Sequence, residues 1–259
     1  MKRMQLYLLC LLVLSLQIVP YRAFAFGLEV GVGYWMQSPS GHFAFNSNGL
    51  TGTDLDLKSD LQYNTQYQPY ARIKAELPLF LPNIYLMATP MSFDGTGQKN
   101  IAINFGGQTF NTNTPFESKL NLNHYDLAFY YSLPFLKNAT LGMLNVELGI
   151  DGRVIDFQAR VNQPTTDVSA SKTLTIPVPM VYFGMQVKPV KNISIEAEAR
   201  GIVYSSNSYF DIIGRAKLII YGPAFISAGY RYEAVRIDQS GVKADVNFNG
   251  PLVEFGLGF

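Results

Sequence analysis

Val253, Phe255, Leu257 and Phe259 alternate with Glu254, Gly256 and Gly258. A strict period of two describes a strand with one apolar face. The same period recurs upstream with charges on the second face. Ile73, Ala75 and Leu77 alternate with Arg72, Lys74 and Glu76, and Val146, Leu148 and Ile150 with Glu147, Gly149 and Asp151. Ile195, Ala197 and Ala199 alternate with Glu196, Glu198 and Arg200, and Ile212, Ala216 and Leu218 with Asp211, Arg215 and Lys217. Such strands can stack as a soluble sandwich, apolar faces inward and charges in water. They can also close into a barrel that turns the apolar faces to lipid and the charges into a lumen. Periodicity alone leaves both open.

The remainder of the chain narrows the choice. Apolar residues make up 48% and charged residues 15%, which excludes a disordered chain. Twenty basic against 19 acidic residues offer no electrostatic footprint for nucleic acid. Lys2 and Arg3 precede an apolar run from Leu6 to Val19, then Pro20 and Ala23-Phe24-Ala25, the layout of an export signal cut after Ala25. The single cysteine, Cys10, lies in that run. Residues 26–259 then form one exported domain without disulfides. No stretch in it reaches 18 uninterrupted apolar residues, so helices do not span a membrane here.

Turn chemistry favours the barrel. Leu77-Pro78-Leu79-Phe80-Leu81-Pro82-Asn83, Leu133-Pro134-Phe135-Leu136-Lys137-Asn138, Lys188-Pro189-Val190-Lys191-Asn192 and Tyr221-Gly222-Pro223 read as compact turns. Between them lie polar segments rich in Gly, Asn, Ser and Thr, about residues 37–62, 94–118, 158–172, 205–208 and 237–249. Short turns at one end and longer loops at the other predict an all-β, closed antiparallel transmembrane barrel of about ten strands, within a range of 8 to 12. Both termini fall at the short-turn, periplasmic end, and the long loops at the extracellular end. Within the second long loop, residues 101–105 are expected to pair with 108–113 as a hairpin projecting past the membrane.

The export signal, Gly31-Val32-Gly33-Tyr34-Trp35, Pro82-Asn83, Asp126 with Tyr130-Tyr131, Gly229-Tyr230-Arg231 and Gly256-Leu257-Gly258-Phe259 together resemble a family of bacterial outer-membrane β-barrel proteins to which no reaction is assigned. The resemblance implies the outer-membrane location and the barrel. It also implies that Val253, Phe255, Leu257 and terminal Phe259 form the signal read by the barrel-assembly machinery. Outer-membrane lipids and lipopolysaccharide are the expected surroundings.

With the apolar faces on lipid, the lumen receives Arg72, Lys74, Arg153, Arg200, Arg215, Lys217 and Arg231 opposite Glu29, Glu76, Asp126, Glu147, Asp151, Glu196, Glu198, Asp211, Glu233 and Glu254. A barrel only slightly wider than eight strands is filled by its side chains. The leading expectation is therefore a salt-bridge network that closes the lumen in a structural or surface-interaction protein. A narrow path for small solutes or ions is the first alternative. The second is a lipid or peptide hydrolase built on His124 and Asp126, which share a strand face, although membership of the interior polar network is the leading reading of both. Ser132, six residues beyond Asp126, stands too far along the strand to serve as nucleophile.

No catalytic residue, cofactor or metal is assigned. Asp54, Asp56 and Asp60 can attract a divalent cation or bridge lipopolysaccharide through one, but an ordinary solvated loop is the leading explanation of them. The segment from Asp94 to Lys99 reads as a turn rather than a phosphate-binding loop. Tyr34, Trp35, Tyr63, Tyr67, Tyr70, Phe129, Tyr131, Tyr182, Tyr204, Tyr209, Tyr230 and Tyr232 are expected to form interfacial girdles.

Overall fold

The computed structural model describes residues 26–259 other than Asn48, Leu79 and Ser240. The export signal and its cleavage after Ala25 lie outside the described residues. Ten strands follow one another round a closed antiparallel barrel. They are β1 (Gly27–Phe45), β3 (Gln66–Glu76), β4 (Asn83–Thr89) with its continuation β5 (Ser92–Gly97), β8 (Phe116–Ser132), β9 (Leu144–Gln163), β10 (Val168–Val190), β11 (Ile193–Tyr204), β12 (Asn207–Tyr221), β13 (Ala224–Gln239) and β14 (Val242–Gly258). The last strand closes on the first, with Glu29 opposite Gly258 and Phe45 opposite Val242. A break at Pro90 separates β4 from β5. There Asn123 Oδ1 accepts the Met91 N–H at 2.9 Å, and the Pro90 carbonyl accepts from Gln37 Nε2 at 2.9 Å. Among the described residues no helix is long and apolar enough to cross a membrane.

Several strands are longer than a membrane requires. About 9–11 tilted residues cross, whereas β8 has 17, β9 has 20 and β10 has 23. The explanation lies in an inversion of polarity along each strand. In the lower part of β9, Val146, Leu148, Ile150 and Val154 face out, while Glu147, Asp151 and Arg153 face in. Above Val154 the faces trade character. Asp156, Gln158, Arg160 and Asn162 point outward, and Ile155, Phe157, Ala159 and Val161 are buried inside. On β8 the change falls between Asn123 and Tyr125 outside and between Leu120 and His124 inside. His124 and Tyr125 pair in register with Ile155 and Val154, so the two strands switch at the same level. On β14 the outward Lys243, Asp245, Asn247 and Asn249 give way to Val253, Phe255 and Leu257. The lower part is thus arranged for lipid outside and charge inside, and the upper part for water outside and an apolar core inside.

That upper core is built by segments expected to be loops. Most of them are strand extensions: β1 runs to Phe45, β9 and β10 meet at the tight turn Pro164–Thr166, and β13 reaches Gln239 before β14 starts at Val242. The remaining loop chain folds into the mouth. Leu55, Leu57, Leu61 and Tyr63, around the short β2 (Leu55–Asp56), are buried. The hairpin of β6 (Ile103–Phe105) and β7 (Gln108–Phe110) forms as expected but does not project. Ile103, Phe105 and Phe110 are buried, with the Phe105 ring 5.7 Å from Phe43 and 5.6 Å from Phe45. Apolar residues at alternate positions of a hairpin gain more by entering the core than by standing in water, roughly 1.5–3 kcal/mol for each large side chain.

Residues 94–97 belong to β5 rather than to a turn. Their glycines let the first loop approach, because a Cβ at Gly97 would stand 1.9 Å from the Asp60 carbonyl oxygen and one at Gly95 would stand 2.1 Å from that of Leu61. Gly97→Val is accordingly expected to cost about 1–3 kcal/mol through overpacking. A lowered urea midpoint would show it; an unchanged midpoint would mean that the loop yields freely. At the opposite end, the expected turn at Leu133–Asn138 contains the short helix α1 (Pro134–Ala139), started by a proline that needs no helical N–H partner.

Candidate functional site

The lumen below the polarity switch holds an uninterrupted set of buried ion pairs. Nearest the short turns, Lys217 binds Glu29 at 2.8 Å and also contacts Glu196, while Lys74 binds Glu147 at 2.7 Å. Tyr182 donates to the same Glu147 at 2.8 Å. One level up, Arg72 forms two bonds of 2.8 Å to Glu254 and one of 2.5 Å to Glu29. Arg215 donates to Glu196 at 2.8 Å and also to Glu198, which accepts from Tyr85 at 2.9 Å. Arg200 lies over the Tyr85 ring at 4.7 Å and 3.3 Å from Glu198.

The topmost layer is the densest. Arg153 joins Asp126 at 2.6 Å to Asp211 at 2.5 Å. Arg231 takes both oxygens of Asp211, at 2.9 and 2.8 Å, and reaches Thr89 Oγ1 at 3.0 Å and Glu233 at 3.2 Å. Trp35 covers it, with the guanidinium carbon 4.5 Å from the indole. Tyr209 donates to Glu233 and stacks 4.8 Å from Arg153. Above Trp35 begins the apolar core. Alternating strand geometry delivers all these groups, since residues two apart on one strand share a face.

Of the 17 residues assigned to the lumen, Glu76 stands furthest out. It shares the face of Arg72 and Lys74 and lines the mouth of the lumen, half exposed and 4.0 Å from Lys137, because β3 ends there. The other sixteen converge inside, with Asp151 the least partnered: its nearest cation is Arg200 Nε at 3.8 Å. At the end of the chain, Val253, Phe255 and Leu257 face outward, and Phe259 is exposed beside Leu28, exchanging backbone hydrogen bonds with it at 2.8 and 3.2 Å.

The aromatic assignment needs dividing. Tyr34, Tyr67, Phe129, Tyr131, Tyr204, Tyr230 and Tyr232 are exposed on the outer wall, whereas Trp35, Tyr63, Tyr70, Tyr182 and Tyr209 are buried inside. Parity carried the distinction: Tyr70 shares a face with Arg72, and Tyr209 with Asp211. Trp35, Thr89, Tyr85, Tyr130, Tyr182 and Tyr209 are members of the network that a search for charges alone passes over.

His124 and Asp126 do not form a dyad. His124 Nδ1 lies 3.1 Å from the Leu122 carbonyl and Nε2 lies 3.1 Å from Arg231 Nη2, so the ring donates at one nitrogen and accepts at the other. Asp126 is engaged by Arg153. Ser132 pairs with Glu147 while His124 pairs with Ile155, eight residues along the strand. His124, Asp211 and Glu233 bring ligand atoms within 4.8 Å of one another, the spacing of a metal site. Arg231 Nη2 contacts all three, and the cation that site holds is the guanidinium.

Two of the three aspartates of the first loop are also committed, while Asp54 is exposed. Asp56 Oδ1 accepts the backbone N–H groups of Lys58 and Ser59 at 2.9 and 2.7 Å. The Ser59 hydrogen bond holds its carboxyl below the usual range. Asp60 pairs with Lys99 at 2.7 Å. Burial pushes the neighbouring Tyr63 phenol up to about 12.

No family profile and no curated protein sequence matches the chain. Among solved structures, the chain is similar to the outer membrane protease OmpT of Escherichia coli, at 11% identity over 93% of this chain and 99% of that one, with a TM-score of 0.56. It is also similar to the translocator domain of the autotransporter NalP of Neisseria meningitidis, at 10% identity over 98% and 95% of the two chains, TM-score 0.43. A further likeness is to Ail, the attachment invasion locus protein of Yersinia pestis, at 9% identity over 89% and 99%, TM-score 0.30. By fold, the chain is a closed ten-stranded β-barrel of the outer-membrane type, and that fold points to the bacterial outer membrane.

Proposed function

We propose that the protein is a sealed, non-enzymatic outer-membrane barrel whose raised wall is a surface for interaction outside the cell. One observation carries the reading: two different fillings, the ion-pair layers below Trp35 and the apolar core above it, are stacked in the barrel above a cavity of about 310 Å³ at the short-turn end, lined by Glu29, Lys74, Glu147 and Lys217. Either filling would obstruct water across the barrel beyond that cavity. Arg72, Arg153, Arg200 and Arg231 are all essentially inaccessible. A conducting pore needs polar groups facing water and not already bonded to one another.

The apolar outer band contacts lipid, and the polar wall above it stands among the sugars of lipopolysaccharide. Phe259 and its alternating neighbours supply the assembly signal during biogenesis. The test is electrical. Refolded protein in a planar bilayer, its insertion verified by heat-modifiable mobility, is expected to stay silent; discrete, ion-selective current steps would overturn the sealed reading and revive the solute path.

A further inference from the structure

We propose that the upper half of β10 accepts an extended polypeptide segment by strand addition. The inference rests on the raised wall being a surface for interaction. β10 pairs with β9 along its whole length, from Val168 opposite Gln163 to Val187 opposite Leu144. Its pairing with β11 begins only at Val181 opposite Gly201. Among the described residues, the stretch Val168–Met180 therefore has a strand partner on one side alone. β11 and β12 turn back at Ser205 and Ser206, level with the top of the apolar band, while β9 and β10 continue upward.

The side chains behind this edge are short of cover. On β9, the inward Ile155, Phe157, Ala159 and Val161 are buried. On β10, the inward Val168, Leu174, Ile176 and Val178 are only partly buried, as are Ile202 on β11 and Ile237 on β13. An apolar seam thus runs beside a free backbone edge, the combination that strand addition uses: main-chain hydrogen bonds for affinity and alternate side-chain sites for selection.

The prolines define how far the edge extends. Lys188 donates its N–H to Met143 on the β9 side. N–H groups at even positions of β10 therefore face β9, and those at odd positions face away. Pro177 and Pro179 are odd, and remove donors from the free edge without disturbing the ladder to β9. Ser169, Ser171, Thr173 and Thr175 keep theirs. The acceptor edge is Val168–Ile176, and the prolines blunt it where it meets the membrane.

A second copy of the chain does not fit. Two barrels in one membrane share a direction, so a two-fold axis along the membrane normal would cross their β10 strands at twice the strand tilt of about 35–45°. Paired strands differ by only about 20–25°. The occupant is a free extended segment, antiparallel to β10, with apolar side chains at alternate positions and a carboxylate beside Lys172. Lys172 is the one charged side chain on the inward row of this edge, its ammonium 5.5 Å from the Phe45 ring centroid.

The test uses a labelled peptide, Val-Thr-Val-Thr-Glu-Thr-Val-Thr-Val, whose central glutamate meets Lys172 when the peptide spans Val168–Ile176. Anisotropy is followed as the full barrel in detergent micelles is added. Saturable binding is expected, with little for a peptide of the same composition and clustered valines. The double variant Ser171→Pro/Thr173→Pro removes two edge donors and no β9 bond. It should bind about tenfold or more weakly while keeping native heat-modifiable mobility. Lys172→Glu should weaken binding and favour a peptide with a central lysine. Equal binding of the two peptides, no binding of either, or native affinity in the proline variant would overturn the proposal. Current in the bilayer with peptide binding intact would instead count against the sealed lumen alone.

Discussion

Arg231→Met should lower the stability of the folded barrel by about 3–5 kcal/mol, because removing one member of a buried ionic set leaves its partners uncompensated. The guanidinium supplies both bonds to Asp211 from the β13 side and is the nearest cation to Glu233. Without it, Asp211 keeps only Arg153 at 2.5 Å. Trp35, the single tryptophan of the chain, stacks on the same group, so its fluorescence reports the site during a urea titration. Arg231→Lys retains the charge but loses the planar fork, and should lie between the native protein and Arg231→Met. Adding Asp211→Asn to Arg231→Met should recover part of the loss, since it removes one of the three carboxylates, Asp126, Asp211 and Glu233, then left to share Arg153. A midpoint for Arg231→Met equal to the native one would show that this cluster contributes nothing to holding the barrel.

Such a set is not an efficient way to stabilise a protein. Well-packed apolar residues often do as well as buried ion pairs. In a barrel whose outer face is committed to lipid, however, the strand period forces the other face to carry something distinct from lipid-facing residues. Otherwise the strand would lose its register signal, because a slip by one residue exchanges the two faces. Charges in the lower lumen mark the inward face unambiguously. The same logic accounts for the upper half, where water lies outside and the apolar residues turn inward.

The ten-strand barrel was legible because alternation needs only neighbouring residues. Glu147, Asp151 and Arg153 declare their face from their own segment, as do Glu196, Glu198 and Arg200. The upper half was hidden by the same rule read too literally. In Ile155 to Val161 the period continues, but polar residues now point outward, and a segment rich in Asn, Gln and Thr resembles a loop. Recognising it required noticing that the alternation persists while its sense reverses. The burial of Phe105 depended on contacts with Phe43 and Phe45, which no local pattern reveals. His124 illustrates a third case. Parity placed it with Asp126 on the inward polar face, but could not name its polar side-chain partner, Arg231, which lies 107 residues away.

The reversal makes a second large prediction, in which one substitution has opposite consequences at different heights on the same strand. Lysine in place of Leu148 or Ile150 puts a charge on the lipid face near the middle of the band, where it costs about 2–4 kcal/mol. At Val154, level with Tyr125 at the edge of the band, the cost should fall to about 0–1 kcal/mol. At Gln158, outward but above the switch, it should disappear. The inward face should behave in the contrary way: Phe157→Asp places an unpaired carboxylate in the upper core, while Asp156→Phe, one residue away, only decorates a solvated wall. Urea midpoints for this β9 series, measured in lipid vesicles, locate the membrane boundary directly. A flat profile from Leu148→Lys to Gln158→Lys would mean that the outer wall crosses no boundary at Val154. A step there would place the whole upper half of β10, with its open edge, outside the membrane and within reach of an extended chain in water.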